Sequence, residues 1–268
     1  MRTVLFSLVF VAAACAGGDM ARVDAILDAR EAVAEPAAEL GTLAEAVVAA
    51  VTTVRLEGPT DPADWQAGVT AVADGPVASF ADAVAAASAV ELDGSTEDVQ
   101  LAQQHWLRAQ AAAADMLATV RTQLDELGRV IGWDLELREL TDSWQQSGSR
   151  SMQLAAFADT AAAADQLAHD LAVDAPTTCP EQRDRRVEAA EFVATATREL
   201  REHIAANRGA AFDERRRELA EDPTGLGQPL SDLDGQDARC WGSTSGVDSQ
   251  AILDALGDLQ AALNPPDL

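Results

Sequence analysis

The side chains in this sequence that are best suited to bind a metal ion or transfer a proton belong to three histidines: His105, His169 and His203. Each lies on a different predicted helix, beside its apolar seam, and no two have the spacing of a local His-x-x-x-His pair. Positions of this kind can converge in a helical bundle, where Asp170 or Glu202 would add oxygen ligands. We interpret the histidines as isolated surface or boundary residues, with a metal site as the alternative.

A second group with possible chemistry is an acidic turn over residues 231–237, where Asp232, Asp234 and Asp237 surround Gly235. Carboxylate oxygens at such spacing are ligands that calcium prefers. The turn does not match an EF-hand loop, because apolar residues occupy the first and twelfth positions when Gly235 is placed sixth. We therefore predict no cofactor, with calcium at these three aspartates as the alternative.

The cysteines indicate export. Cys179 and Cys240 form a natural disulfide pair if the chain reaches an oxidising compartment. Such a bond would close a loop of about 60 residues and stabilise the fold by about 4 kcal/mol in the chain-entropy model. Two free buried thiols are the alternative interpretation.

The N-terminus is typical of a signal peptide, predicted over residues 1–14: Arg2 supplies a positive charge and an apolar run follows up to Cys15. Residues 11–15 resemble a bacterial lipobox, which implies that Cys15 is lipidated and becomes the first mature residue. Residues 15–19 would then form the anchor and a short tether. Cleavage at an ordinary small-x-small site, giving a secreted soluble protein, is the alternative. We expect no further segment to cross a membrane, so the anchor would be lipid alone.

The remaining motifs and the charge exclude several functions. The sequence contains no phosphate-binding loop, dinucleotide-binding glycine motif, His-Glu-x-x-His, Gly-x-Ser-x-Gly or haem-attachment motif. We therefore predict a protein that is not an enzyme. A net charge of -26 also opposes contact with a phosphate backbone, so nucleic acid is not expected as a partner.

The elements that must position these residues are predicted to be helices. Apolar residues recur every three or four positions over 20–221, and alternating strand patterns do not occur there. This predicts an all-α fold, an elongated up-and-down bundle of about six to eight helices. A Gly-rich, Pro-rich and Asp-rich loop over 222–248 and a short C-terminal helix with a tail over 249–268 complete the chain.

Individual seams give more detailed predictions. Met20, Val23 and Leu27 form one apolar stripe, and Pro36 suits a helix start or kink. Gly132 either kinks or breaks the helix that contains it. A Gly75-Pro76 pair interrupts another helix. Tryptophans at seam positions are expected to pack in the core: Trp65, Trp106, Trp133 and Trp144.

The helix that begins near Pro180 carries a dense strip of charge, in which nine arginines interleave with acids. We predict a solvated helix face linked by ion pairs. The arginines are Arg183, Arg185, Arg186, Arg198, Arg201, Arg208, Arg215, Arg216 and Arg217.

Together these features predict an exported, lipid-anchored and acidic helical bundle of the bacterial envelope, on its periplasmic or extracellular face. It would act as a non-enzymatic binding or structural module for an envelope protein partner. The alternative function is a divalent-cation-binding envelope protein, using calcium or zinc.

Overall fold

The computed structural model describes residues 17–56, 62–92, 94, 96–145, 148–173, 180–227 and 247–264, and these form helices and turns with no strand. Because α2 continues through a π-helical turn into α3, the described residues contain seven separate helical segments, which confirms the predicted all-α multi-helix bundle. The elements are α1 (Gly17–Leu56), α2 (Pro62–Val72), the π-helical turn (Ala73–Val77), α3 (Ala78–Ser88), α4 (Glu97–Asp142), a 3-10 turn (Ser143–Gln145), α5 (Arg150–Val173), α6 (Pro180–Ala205), α7 (Gly209–Glu221) and α8 (Gln250–Ala262).

The chain divides into two compact units. Unit 1 comprises residues 1–48, 76–118 and 247–268, and unit 2 comprises residues 49–75 and 119–246. The long helices α1 and α4 each contribute residues to both units. The apolar residues of a long helix recur without interruption, so the sequence does not indicate where one compact unit ends and the other begins.

The predicted seam of α4 is buried along the helix. Val99, Ala102, Trp106 and Ala109 are all at most 1% exposed. Gly132 lies inside α4, so of the two alternatives, a kink and a break, the break does not occur. A glycine inside a helix costs about 1 kcal/mol relative to alanine, which the burial of a long apolar face readily offsets.

The stripe predicted for the start of α1 was wrong. Met20 is 62% exposed and Leu27 is 51% exposed, whereas Ile26, Ala29 and Val33 are buried. The buried face is therefore displaced by one residue from the predicted stripe. Neighbouring positions on a helix differ by about 100°, and both faces were apolar here, so packing rather than periodicity decides which of them faces the core.

Both prolines that were expected to disturb helices lie within helical structure. Pro36 lies inside α1, so of the two alternatives, a helix start and a kink, the helix start does not occur. Pro76 lies in the π-helical turn between α2 and α3. A wider turn accommodates the proline ring and its missing N–H, and the helix changes form without ending.

The N-terminal part of α1 also includes residues 17–19, which the sequence assigned to a tether. Helix α7 ends at Glu221, one residue before the predicted start of the irregular loop at residue 222. The predicted C-terminal helix is α8. Of the 222–248 loop, the structure describes residues 222–227 and 247–248.

Three of the four core tryptophans are confirmed, and each donates its indole N–H. Trp65 donates to the Val54 carbonyl at 3.0 Å, and Trp106 donates to the Val90 carbonyl at 3.1 Å. Trp144 is buried in the same way, whereas Trp133 is half-buried. Indole burial contributes a large apolar area, and the satisfied N–H avoids a desolvation penalty.

Two helical stretches are long and apolar enough to cross a membrane by length and composition: Met20–Val54, with mean hydropathy 1.4, and Ala63–Ser88, with mean hydropathy 1.2. The expectation that no further segment meets this criterion was therefore wrong. About a third of the apolar window is buried inside the protein in each case, at 28% and 33%. The first stretch carries exposed Glu39 and Glu45, and the second carries exposed Asp74. Buried apolar residues and exposed acids on one helix are typical of a bundle helix in water.

Candidate functional sites

The three histidines do not share a site. His105 belongs to unit 1, whereas His169 and His203 belong to unit 2. Among the described residues, no three His, Cys, Asp or Glu side chains form a group that could hold a metal ion. The described part of the chain therefore offers no support for the metal site that was the alternative for the histidines.

His105 takes part in a small charged cluster on unit 1. Its Nδ1 contacts Nη2 of Arg108 and lies 3.6 Å from Oδ2 of Asp258 on α8. Nη2 of Arg108 lies 3.3 Å from the same carboxylate oxygen. The imidazole therefore bridges α4 and α8 beside an Arg–Asp pair, which is a structural contact rather than a metal-ligating one.

The other two histidines differ in burial. His169 is exposed on α5, next to Asp170, which accepts a hydrogen bond from Gln166 at 2.7 Å. His203 is half-buried on α6, and its Nδ1 is buried with no hydrogen-bond partner among the described residues. Neither residue lies in a described cavity with a second metal-binding side chain.

Several predicted site residues lie outside the described residues. These are the lipidation candidate Cys15, the disulfide candidates Cys179 and Cys240, and the calcium candidates Asp232, Asp234 and Asp237. Lipidation, the disulfide and calcium binding therefore stay predictions.

A buried ion pair joins α4 and α6 in unit 2. Nε of Arg186 donates to Oδ1 of Asp134 at 2.7 Å, and its Nη2 donates to Oδ2 at 2.6 Å. Both side chains are 1% exposed. The planar guanidinium matches the carboxylate with two parallel hydrogen bonds, the geometry that best offsets the cost of removing two charges from water.

The burial of Arg186 corrects the prediction that it belongs to a solvated strip. A sequence signal for it exists: Arg186 lies four residues before Ala190 and seven before Val193, which places it in the buried seam of α6. A charged residue at such a position is buried together with a partner of opposite charge. The sequence of α6 alone does not identify that partner. The exposed part of the strip does form ion pairs, such as Arg198 with Asp165 and Arg215 with Glu199.

An acidic surface lies near this ion pair along α4. Partial burial raises the pKa of Glu136, and the neighbouring carboxylates of Asp170 and Glu139 raise it further. Like charges this close disfavour the ionised form. Such repulsion is the local consequence of the strongly negative composition.

The loop that follows α7 begins with a tightly bonded turn. The Asp222 carboxylate accepts hydrogen bonds from the Thr224 hydroxyl and from the Gly227 amide, the latter at 3.1 Å. Gly225 has φ +68°, and a Cβ there would lie 2.5 Å from the Phe192 ring on α6. The turn therefore needs glycine for its backbone conformation and for its close approach to α6.

A groove lies between α1 and α8 in unit 1, with a volume of about 200 Å³. Alanines form its α1 side and leucines form its α8 side. These residues are Ala34, Ala37, Ala38, Leu256, Leu259 and Leu263. Because alanine side chains are short, the two helices leave a gap here that larger side chains would fill.

Three of the described residues that line the groove are polar: Arg30, Gln260 and Asn264. Arg30 is the charged side chain among them. Asn264 donates from its amide side chain to the Gln260 carbonyl at 2.9 Å. The groove therefore combines apolar walls with a few polar side chains, a composition that is common in small-molecule binding sites.

Fold and sites together define an all-α protein of two helical units, with a buried ion pair in one unit and an apolar groove in the other. No protein-family model, no curated protein and no solved structure matches the chain.

Proposed function

We propose that the protein is exported and lipid-anchored at Cys15, and that it serves as a non-enzymatic binding or structural module of the bacterial envelope. The N-terminal charge and apolar run support export, and the lipobox-like residues 11–15 support the anchor. Because α1 begins at Gly17, an acyl group on Cys15 would hold unit 1 close to the membrane surface.

The observation that carries the binding role is the exposure of large apolar side chains on unit 1. Met20 and Leu27 on α1 are 62% and 51% exposed. Exposed apolar side chains that share one face mark surfaces that other molecules cover. Met20 and Leu27 are seven residues apart on one helix and therefore share a face. An envelope protein with a complementary apolar surface is the proposed partner.

The anchor is tested with Cys15→Ala. We expect the wild-type chain to incorporate labelled fatty acid and to remain with membranes after an alkaline wash. The variant should do neither. An unlipidated mature mass for the wild-type chain, or membrane retention of the variant, would contradict a lipid-only anchor, and the second result would point to α1 or the α2–α3 segment as a span.

The partner surface is tested by site-specific photo-crosslinking in cells, with the photoreactive residue at Leu27. We expect a discrete crosslinked product. The matched control position is Met152 on α5 of unit 2, which is 65% exposed and should give no such product. Absence of a product at Leu27, or the same product at both positions, would contradict the proposed surface.

A further inference from the structure

The apolar stripe at the start of α1, formed by Met20, Val23 and Leu27, is exposed although its spacing is that of a covered face. The three residues are three and four positions apart, so they lie on one side of the helix. Met20 is 62% exposed, Leu27 is 51% exposed and Val23 is half-buried. Apolar side chains with this spacing and exposure mark a surface that another apolar group covers.

The acyl group proposed for Cys15 would begin beside this α1 stripe. Only Ala16 separates Cys15 from Gly17, the first residue of α1. Two peptide units span at most about 7.6 Å in any conformation, so the acyl group would be attached close to this end of the helix. At 1.5 Å per residue, Met20 lies about 4.5 Å and Leu27 about 15 Å from Gly17 along the helix axis.

The length of an acyl chain matches the length of the α1 stripe. The hydrocarbon core of a bilayer is about 30 Å thick and is filled by two opposed chains, so one chain spans about 15 Å. A chain that starts at the beginning of α1 and follows the helix therefore ends near Leu27. Such a contact removes apolar surface of both the chain and the stripe from water, which stabilises it.

A bilayer competes with the α1 stripe for this chain. The bilayer surrounds an acyl chain on all sides, whereas the stripe covers one side of it, so the chain leaves the stripe when a membrane is available. Its departure exposes Met20 and Leu27, which form the surface proposed to bind the envelope partner.

We propose that, away from a membrane, the acyl chain on Cys15 lies along the α1 stripe and blocks the partner surface, and that insertion of the chain into a bilayer frees this surface. The inference rests on the proposed lipid anchor and gives a regulation of the proposed partner surface. Partner binding would thereby be confined to the membrane-inserted protein.

Photo-crosslinking of the purified acylated chain tests the contact, with a photoreactive residue at Leu27 or, as the matched control, at Asp28. Asp28 is also exposed and lies one residue further along α1, but it is turned about 100° away from Leu27. Each protein is irradiated in detergent-free buffer and in phosphatidylcholine vesicles, and mass spectrometry identifies the peptide joined to the acyl chain. In buffer we expect the acyl product at Leu27 to exceed that at Asp28 at least about fivefold, because the chain follows the stripe. In vesicles the product at Leu27 should fall at least about fivefold, since the chain then lies in the bilayer.

Transfer of the acylated chain from buffer into vesicles gives a second measurement. The double variant Met20→Ser with Leu27→Ser should transfer at least about threefold faster than the wild-type chain, because the stripe no longer holds the acyl chain. Met152→Ser is the matched control: Met152 on α5 is 65% exposed and lies outside the stripe, so this variant should transfer as the wild-type chain does.

The outcomes separate this inference from the proposed anchor. A mature wild-type chain without an acyl group on Cys15 would overturn both. With an acylated chain, equal products at Leu27 and Asp28, or the same yield at Leu27 in buffer and in vesicles, would overturn the inference alone. A yield that falls on dilution would do so too, because the acyl chain would then come from a second copy. An unchanged transfer rate in the double serine variant would show that the stripe does not hold the chain.

Discussion

Each unit contains an Arg–Asp pair with bidentate geometry, in which the guanidinium donates two hydrogen bonds to one carboxylate. The two pairs differ in their exposure to solvent. In unit 1, Arg22 donates to Asp98 through Nε at 2.6 Å and Nη2 at 3.1 Å, with side chains 44% and 20% exposed. In unit 2, Arg186 donates to Asp134 at 2.7 and 2.6 Å, and both side chains are 1% exposed. Identical chemistry therefore has different consequences, because water replaces a lost partner at the exposed pair and cannot do so at the buried one.

The cores of the two units also differ in the hydrogen bonds that their buried tryptophans make. In unit 2, the Trp144 indole donates to the Thr197 hydroxyl at 2.8 Å, and that hydroxyl donates to the Val193 carbonyl at 2.7 Å. Such buried side-chain networks fix which residues can face one another. In unit 1, the Trp106 indole bonds to a backbone carbonyl, and the α1–α8 contact leaves a groove. The described core of unit 2 thus contains a buried side-chain hydrogen bond, and unit 1 contains a groove between two helices.

The largest expected effect comes from breaking the buried pair. Asp134→Asn leaves the Arg186 charge buried beside a neutral amide, and we expect unit 2 to lose about 3–5 kcal/mol of unfolding free energy. Native-state hydrogen exchange resolved by peptide would show the loss of protection in residues 119–142 of α4 and in α6.

The double variant Asp134→Leu with Arg186→Leu is the control. Replacing both charges with apolar residues should recover most of the loss, because neither charge then has to be buried. A single variant as stable as the wild-type chain would mean that burial does not distinguish the two pairs.

An intermediate effect is expected at the turn after α7. Gly225→Ala must adopt φ +68° and bring its Cβ 2.5 Å from the Phe192 ring, so we expect a loss of about 2–4 kcal/mol. Gly227→Ala is a matched control, because its φ is +67° and no atom of the described residues lies within 4 Å of its Cβ. It should lose only about 1–2 kcal/mol, the cost of the backbone conformation. Equal losses in urea denaturation would show that the Phe192 contact contributes nothing.

Much of the helical architecture could be predicted from the sequence, because burial of a helix repeats every three or four residues. The seam through Val99 and Trp106 on α4 and the end of α7 at Glu221 are examples. The errors arose where this signal was locally ambiguous. Leu27 and Ile26 are adjacent and both apolar, and only packing decides which of them is buried.

The sites were less predictable, because they depend on pairs of helices that are distant in sequence. Arg186 lies in the α6 seam register, but its partner Asp134 is 52 residues away on α4. The groove requires the alanines of α1 to face the leucines of α8, more than 200 residues later. Composition reveals alanine-rich and leucine-rich helices and does not reveal which of them meet.

The smallest effect, and the sharpest test of the comparison, comes from Asp98→Asn in unit 1. The hydrogen bond from Arg22 is the main cause that lowers the pKa of Asp98 below its ordinary value of 3.8. A pKa that is lower in the folded state gives a stabilising contribution that is complete above about pH 3.8 and is lost as the pH falls through the folded-state pKa. Because the pair is exposed, we expect the variant to lose less than about 1 kcal/mol at pH 7, and to match the wild-type chain at a pH below the folded-state pKa. Denaturation at both pH values measures this difference, and a loss at pH 7 as large as that of Asp134→Asn would show that solvent exposure does not separate the two pairs.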